Sequence, residues 1–442
     1  MNKRIIKYIL LFLFFLACLL FFYTINRGDS FVNYGFSYAI VKRELPYIDF
    51  NVVVTPLSMY LYSILLFIHN SIITMFIEQA LLLTVLMYFI FKLLKEKGYV
   101  FLLLLTILFP IAFSSIIFPS YNFLLLLELI ILIYLESNKK DDYLIGILLG
   151  LMFCTKQTIG IIMFIPTIYY LFKNRKVFIK RFIGYIIPIL ILLIYLLITN
   201  SLNHFIDLCF LGLFSFGTSN KIIDLYYLIL FIIGLIIVIY YIYKDKKSIN
   251  NYYILLFSFV VIPLIDYYHV SLFLLAVSYL ILNNIKVSKK TINLLMILIP
   301  INIILSTLLT ISFFNPIKIT NYKHLSGMIE KKYYLNNIDK VNKYLKNKKV
   351  IYLLRGSENY YFKIINDKKI DYYDLCNYGN YGYNGIDKLL KDLYSEEKVY
   401  LVIDNSLKEN TSNQYIYELS KYVKENSKLK KKISNYYIYY KE

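Results

Sequence analysis

The sequence predicts an α-helical polytopic membrane protein, with about eleven transmembrane helices in residues 1–314 and a small C-terminal α/β domain in residues 315–442 on the outer side. Three observations predict it. Hydrophobic residues make up 59% of the chain and mean hydropathy is +0.59, whereas a soluble domain is closer to half apolar. The excess is gathered into blocks of Leu, Ile and Phe, many approaching the ~20 residues that span a bilayer. Beyond residue 314 the composition turns polar, with 24 Lys+Arg against 15 Asp+Glu in 315–442.

In chain order, Lys3, Arg4 and Lys7 stand at the head of an apolar run over 5–25. The run is long and no small-residue cleavage site follows it, so it reads as an uncleaved first helix with a cytoplasmic N-terminus. The segment Asp29–Pro56 is longer than a turn requires and collects Asp29, Lys42, Arg43, Glu44, Asp49 and two prolines. It reads as the core of an outer loop running from 26 to 71, with interfacial helices. Within it, the fourteen residues of 55–68 would cover only ~21 Å as a helix, short of a hydrocarbon core of ~30 Å. They are expected to stay on the outer side.

Charge parity supports that choice. The remaining blocks fall at 72–91, 99–118, 121–135, 143–155, 158–172, 182–199, 224–243, 252–265, 270–283 and 292–313. With 55–68 left out, 19 basic residues fall in cytoplasmic segments and five (Arg27, Lys42, Arg43, Lys156, Lys221) outside. Counting 55–68 as a span would invert every later loop and reverse the bias. The tail reads as strand 350–354, helix 357–366, helix 384–394, strand 398–403, helix 413–427 and strand 433–440, an α/β alternation. It contains neither a G-x-G-x-x-G nor a phosphate loop, and no internal repeat marks the two halves of a transporter.

The net charge of +20 reports topology first and does not call for nucleic acid. Cys18, Cys154, Cys209 and Cys376 are scattered, without metal-ligand or disulfide-framework spacing. Asn410-Thr411-Ser412 fits a glycosylation sequon by chance composition in an Asn-rich chain.

The outer ends of the predicted helices carry a short polar list, and ionisable groups at membrane depth are costly enough to suggest function. Asp29, at the exit of the first helix, is either a general base over a membrane cavity or the N-cap of a helix over 30–41. Arg43-Glu44 and Asp49 belong either to a substrate-facing loop or to a structural one broken by Pro46 and Pro56. Tyr121 and Asn122 follow Pro119-Ser120. Lys156 interrupts an apolar stretch beside Gln157 and Thr158; it needs a partner, which a phosphate or the lipid headgroups would supply. Asp266 and His269 share a helical face at i and i+3, as a functional pair or a self-satisfied one. Glu78 is placed near the outer end of its span. Glu128 is mid-span and is expected to have a structural partner.

Taken in order, Asp29, Arg43-Glu-Leu-Pro-Tyr-Ile-Asp-Phe50, Thr55-Pro56-Leu57, Pro119-Ser-Tyr-Asn122, Gly150 to Gly160 with Thr155-Lys156-Gln157-Thr158, and Asp266-Tyr-Tyr-His269 resemble the GT-C superfamily of integral-membrane glycosyltransferases. The closer likeness is to the bacterial protein mannosyltransferases and lipid A aminoarabinose transferases. The resemblance implies a GT-C-like fold in the plasma membrane and transfer of a sugar from a polyprenyl-phosphate donor to a cell-envelope acceptor. Asp29 matches the family's catalytic acid and would act as the base of an inverting displacement. Lys156 and His269, with Arg43, would hold the lipid phosphate, and Glu44, Asp49, Tyr121, Asn122, Gln157 and Asp266 would line the site. Two departures stand out. The second outer loop lacks the further acidic motif of many relatives, which leaves dependence on a divalent metal open. Leu264 and Ile265 also stand where relatives often carry Arg before the Asp-x-x-His element. The alternative from another class is a transporter or flippase of a lipid-linked saccharide.

Overall fold

A computed structural model describes residues 3–22, 29–111, 119–214, 222–312, 317–319, 322–325, 329–354, 358–367, 382–383, 385–404 and 414–442. The helices are α1 (Lys3–Phe22), α2 (Asp29–Val41), α3 (Leu57–Ser63), α4 (Ile72–Leu94), α5 (Gly98–Ile111), α6 (Tyr121–Ser137), α7 (Asp142–Thr155), α8 (Gln157–Met163), α9 (Ile165–Lys173) and α10 (Arg175–Ile198). After α11 (Leu202–Ile206) and a π turn over Asp207–Leu211 come α12 (Leu225–Lys244), α13 (Ile249–Phe257), α14 (Tyr267–Asn284) and α15 (Lys289–Ser312). The tail adds α16 (Lys332–Tyr344), α17 (Glu358–Ile365), α18 (Gly385–Ser395) and α19 (Gln414–Asn426).

Each of the eleven apolar blocks lands at least in part on a helix; 158–172 falls on the pair α8–α9, and 252–265 is α-helical only to Phe257, continuing as a 3-10 turn over Ser258–Val261 and a short strand over Leu264–Ile265. Residues 112–118 of the third block lie outside the described residues. The stretch 55–68 does not form one long helix: α3 has seven residues and is followed by turns to His69.

Hydrogen bonds sort the helix ends into two groups. At one end, here the lower, Arg181 meets Glu136 and Asp142, Tyr253 reaches Glu136, Asn250 reaches Ser137, and Lys97 donates to the carbonyls of Leu282 and Asn283. At the other, Asn122 meets His269 and Lys156, Tyr60 meets Tyr195, Thr55 reaches the Phe153 carbonyl, and the Ile72 amide donates to His324. Successive blocks therefore run alternately up and down. The loops rich in Lys and Arg gather at the lower end, and α2 and α3 lie at the upper.

The run Ile72–Thr106, interrupted by a positive φ of 52° at Lys95, and the helices α10 and α12 are long and apolar enough to cross a membrane. On α12, Ile229, Ile232, Ile233, Ile236 and Ile239 are exposed; their three-to-four-residue spacing makes an apolar face suited to lipid and not to water. Inside, α7 and α10 cross closely through glycines. A Cβ on Gly146 would stand 2.2 Å from the Arg181 carbonyl oxygen, and one on Gly150 2.4 Å from that of Tyr185. Small residues at a four-residue spacing permit such approach between helices in a membrane.

Strands β1 (Ile222–Ile223) and β2 (Leu264–Ile265) pair in parallel, and β3 (Ile317–Ile319) pairs antiparallel with β4 (Ile329–Lys331). The tail also carries β5 (Val350–Leu353), β6 (Val399–Asp404), β7 (Lys428–Ile433) and β8 (Tyr436–Lys441) in the order β5-β6-β8-β7, parallel between β5 and β6 and antiparallel beyond. Period-two alternation gives the sheet two buried faces. Ile351 and Leu353 pack with Leu389, Leu393 and Val423, while Val350 and Tyr352 join the core continuous with the bundle. Two features differ from the sequence expectation. α16 was not anticipated, because it is polar with one apolar stripe. β7 was not anticipated because its first five residues are exposed; an edge strand with nothing to cover shows no apolar alternation.

The tail grips α2. Gly35 touches the Tyr360 ring so closely that an added Cβ would lie 2.5 Å from it, and Phe36 meets the same ring edge-on. Asp367 accepts from Lys42 at 2.5 Å, from Tyr38, and from His324 at 3.2 Å. Burial alone would raise this carboxyl, but the bonds from Lys42 and Tyr38 and the charges of Lys42 and His324 outweigh it and hold it at about 2.

Candidate active site

Three helix termini build the upper-end site. Ser120 is the N-cap of α6, its hydroxyl accepting from the Phe123 amide at 3.0 Å, and Asn122 lies in that helix's first turn. α7 ends at Thr155, and Lys156 stands in an extended conformation between α7 and α8. Asp266 is the N-cap of α14, accepting from the His269 amide at 3.0 Å, and so carries His269 one turn into the helix.

These side chains form one chain of contacts. The Lys156 ammonium donates to Asn122 Oδ1 at 3.3 Å. The Asn122 amide nitrogen meets His269 Nε2 at 3.3 Å, and His269 Nδ1 meets Asp266 at 2.9 Å. The partners set the roles: Asp266 takes the Nδ1 proton, leaving Nε2 to accept from Asn122. Burial disfavours charge on Asp266, yet bonds from the His269 ring and from the His269 and Tyr268 amides overcome it and lower its pKa. Lys156 also lies over the Tyr121 ring, 5.5 Å from its centre. Among the described residues no carboxylate pairs with Lys156. The site thus holds a cation, a bridging amide and an imidazole fixed by a carboxylate.

The other sequence-selected residues lie around this chain or apart from it. Gln157 ties the layers together, donating to the carbonyls of Val53 at 2.9 Å and Cys209 at 2.6 Å. Asp49 accepts from the Leu45 amide at 2.7 Å and closes its own loop. Arg43 is exposed with a φ of 65°, whereas Glu44 beside it is buried. Asp29 begins α2, at the same end of the bundle, but its side chain lies outside the described residues. Glu128 has the structural partner expected of it: Thr155, next to Lys156, donates to it at 2.8 Å. Glu78 is buried, with one carboxylate oxygen lacking a hydrogen-bond partner. Among the described residues no three His, Cys, Asp or Glu side chains group as a metal ion would require. Sequence reasoning passed over Tyr268, whose hydroxyl meets Ser120 at 2.7 Å and joins α6 to α14, and His324 and Asp367, which no local signal links to α2.

No protein-family model and no curated protein matches the sequence. Among solved structures, the chain is similar to ArnT from Cupriavidus metallidurans bound to undecaprenyl phosphate, with a TM-score of 0.60 and 8% identity over 99% of this chain and 97% of that one. The oligosaccharyltransferase of Archaeoglobus fulgidus tethered with an acceptor peptide matches with a TM-score of 0.44 and 12% identity, over 94% of this chain and 71% of that one. At such identities the likeness is one of fold.

Proposed function

We propose, from the GT-C membrane fold that this chain adopts, that it is a glycosyltransferase moving a sugar from a polyprenyl-phosphate donor to a cell-envelope acceptor on the outer face of the plasma membrane. The N-terminus would be cytoplasmic, residues 1–314 would form the catalytic membrane domain and residues 315–442 an extracytoplasmic one. The observation that carries the reading is the cation site. Lys156 shares one amide with an imidazole held by Asp266, lacks a carboxylate partner among the described residues, and lies at the end of the bundle where α2 begins with Asp29.

The chemistry follows from those groups. Asp29 would take the proton of the acceptor hydroxyl. The oxygen would then bond to the anomeric carbon as the bond from that carbon to the phosphate oxygen breaks, inverting the centre in one displacement. The polyprenyl phosphate leaves with an added negative charge, which the Lys156 ammonium and the Asn122 amide would stabilise. An arriving phosphate oxygen would compete for the Asn122 amide hydrogens. That would leave the His269 imidazole, oriented by Asp266, facing the phosphate.

The test is transfer by the purified, reconstituted protein, supplied with polyprenyl-phosphate sugars and envelope extracts, for wild type and Asp29→Asn. The substitution keeps the shape and removes the base. Loss of transfer by roughly 10²–10⁴-fold is expected; full transfer by Asp29→Asn would refute the assignment.

A further inference from the structure

The tail holds a second feature, unconnected to the cation site. A cleft of about 740 Å³ opens between α16 and β7, lined by Asn337, Lys340, Lys343, Tyr344, Lys431 and Lys432 at its centre. We propose that this cleft binds a polyanionic envelope polymer with phosphodiester groups along its backbone. The proposal deepens the functional reading by naming the charge class of the acceptor, and it rests on that reading's placing the tail outside the membrane.

The lining has four ammonium groups and no carboxylate, and among the described residues none of the four forms an ion pair. Lys340 and Lys343, at i and i+3, share one face of α16. Lys431 and Lys432 arrive from the facing strand, where the pairing shifts between Leu429 and Lys431. Beyond that shift Lys431 and Lys432 pair in regular register with Ile438 and Tyr437, and both line the cleft, where their long, flexible stems carry the ammonium groups. Tyr344 orders the rim: Lys431 lies 4.9 Å and Lys348 3.7 Å from its ring centre. Gathering like charges in one cleft is unfavourable until an anion enters.

The plain explanation of lysines on β7 is protection of an exposed sheet edge. It does not account for Lys340 and Lys343, which are on a helix and face the same space. The cations are all Lys, which binds phosphate oxygens as a compact point charge and needs no fixed bidentate geometry. The site is also an open cleft, which a chain could enter from solvent. The strand order sets β7 three strands from β5, roughly 14 Å at the usual spacing, and the helix following β5 is the one that touches α2.

The experiment measures binding of poly(glycerol phosphate) chains to the full-length protein in nanodiscs of zwitterionic lipid, with neutral dextran of equal size as the control. Wild type, Lys340→Gln/Lys343→Gln, Lys431→Gln/Lys432→Gln and the Lys340→Arg/Lys343→Arg control are compared after confirming equal melting temperatures. Wild type should bind the phosphate polymer in preference to dextran, with affinity falling as salt rises. Each Gln pair should weaken binding roughly tenfold, at about three-fold per exposed ion contact, and the Arg pair should retain it. Binding no tighter than dextran, or Gln pairs that bind as wild type does, overturns the proposal. So does loss of binding to anionic phosphatidylglycerol vesicles with polymer binding unchanged, because the cleft would then be a membrane contact. The readout needs no sugar donor, so Asp29→Asn should bind the polymer normally; failure of transfer and failure of the cleft are read separately.

Discussion

The two ends of the bundle each hold a cation at the junction of α6 and α7, with opposite solutions. At the lower end Arg181 is 4% exposed and paired with two carboxylates: two bonds to Glu136, at 2.6 and 3.0 Å, and one to Asp142 at 2.8 Å. Tyr253 supplies a further donor to Glu136. At the upper end Lys156 has a neutral amide oxygen at 3.3 Å and an aromatic ring. The first is an ion cluster completed by its own chain. The second is a cation with no carboxylate partner among the described residues. The difference teaches that two cations flanking the same helices can be held in different ways, one by carboxylates and one by a neutral amide and a ring.

The same substitution at both ends should therefore have opposite effects. Arg181→Met would strand two carboxylates without their cation, and breaking a buried pair in this way costs about 3–5 kcal/mol. Thermal unfolding in detergent should show a large loss of stability; an unchanged midpoint would erase the contrast between the ends. Lys156→Met removes a charge that has no carboxylate partner among the described residues, so stability should be unchanged or slightly higher. On the proposed reading, transfer should fall by roughly 10²–10³-fold, the loss typical of one donor to a developing oxyanion. A Lys156→Met protein that unfolds like Arg181→Met would make the upper cation structural as well.

The smallest effect concerns the tail's hold on α2. The Asp367 carboxyl stands at about 2 when folded against an ordinary value of 3.8. A depressed pKa contributes stability that is full above the unfolded value and is lost as pH falls through the folded one. Stability should therefore be insensitive to this group at neutral pH and decline between about 4 and about 2. Asp367→Asn should flatten that decline in melting curves recorded against pH. Because the carboxylate is more than a third exposed, solvent screening keeps the change modest.

The helical bundle was legible because apolar blocks of helix length punctuate the sequence, with basic residues at one end of the helices. The exclusion of 55–68 from the spans was legible by the same arithmetic, and α3 is indeed short. Asp266 and His269 were legible as a pair since i and i+3 is a local relation. Asn122 and Lys156 could be selected, but their meeting could not be foreseen, because 34 residues separate them. In the tail, β7 and α16 escaped because strands at an edge and helices in water carry little apolar signal.

By itself the sequence determined the class of the protein, the alternation of its helices and the residues worth suspecting, since each follows from local composition and spacing. Only the tertiary structure decided which suspects belong together. It joined Lys156, Asn122, His269 and Asp266, set Gln157 to binding two backbone carbonyls, and placed Asp367 on Lys42 from 325 residues away. The physical reason is that a hydrogen bond acts over about 3 Å, and which groups come that close is settled by the packing of entire helices, to which no single stretch of sequence refers.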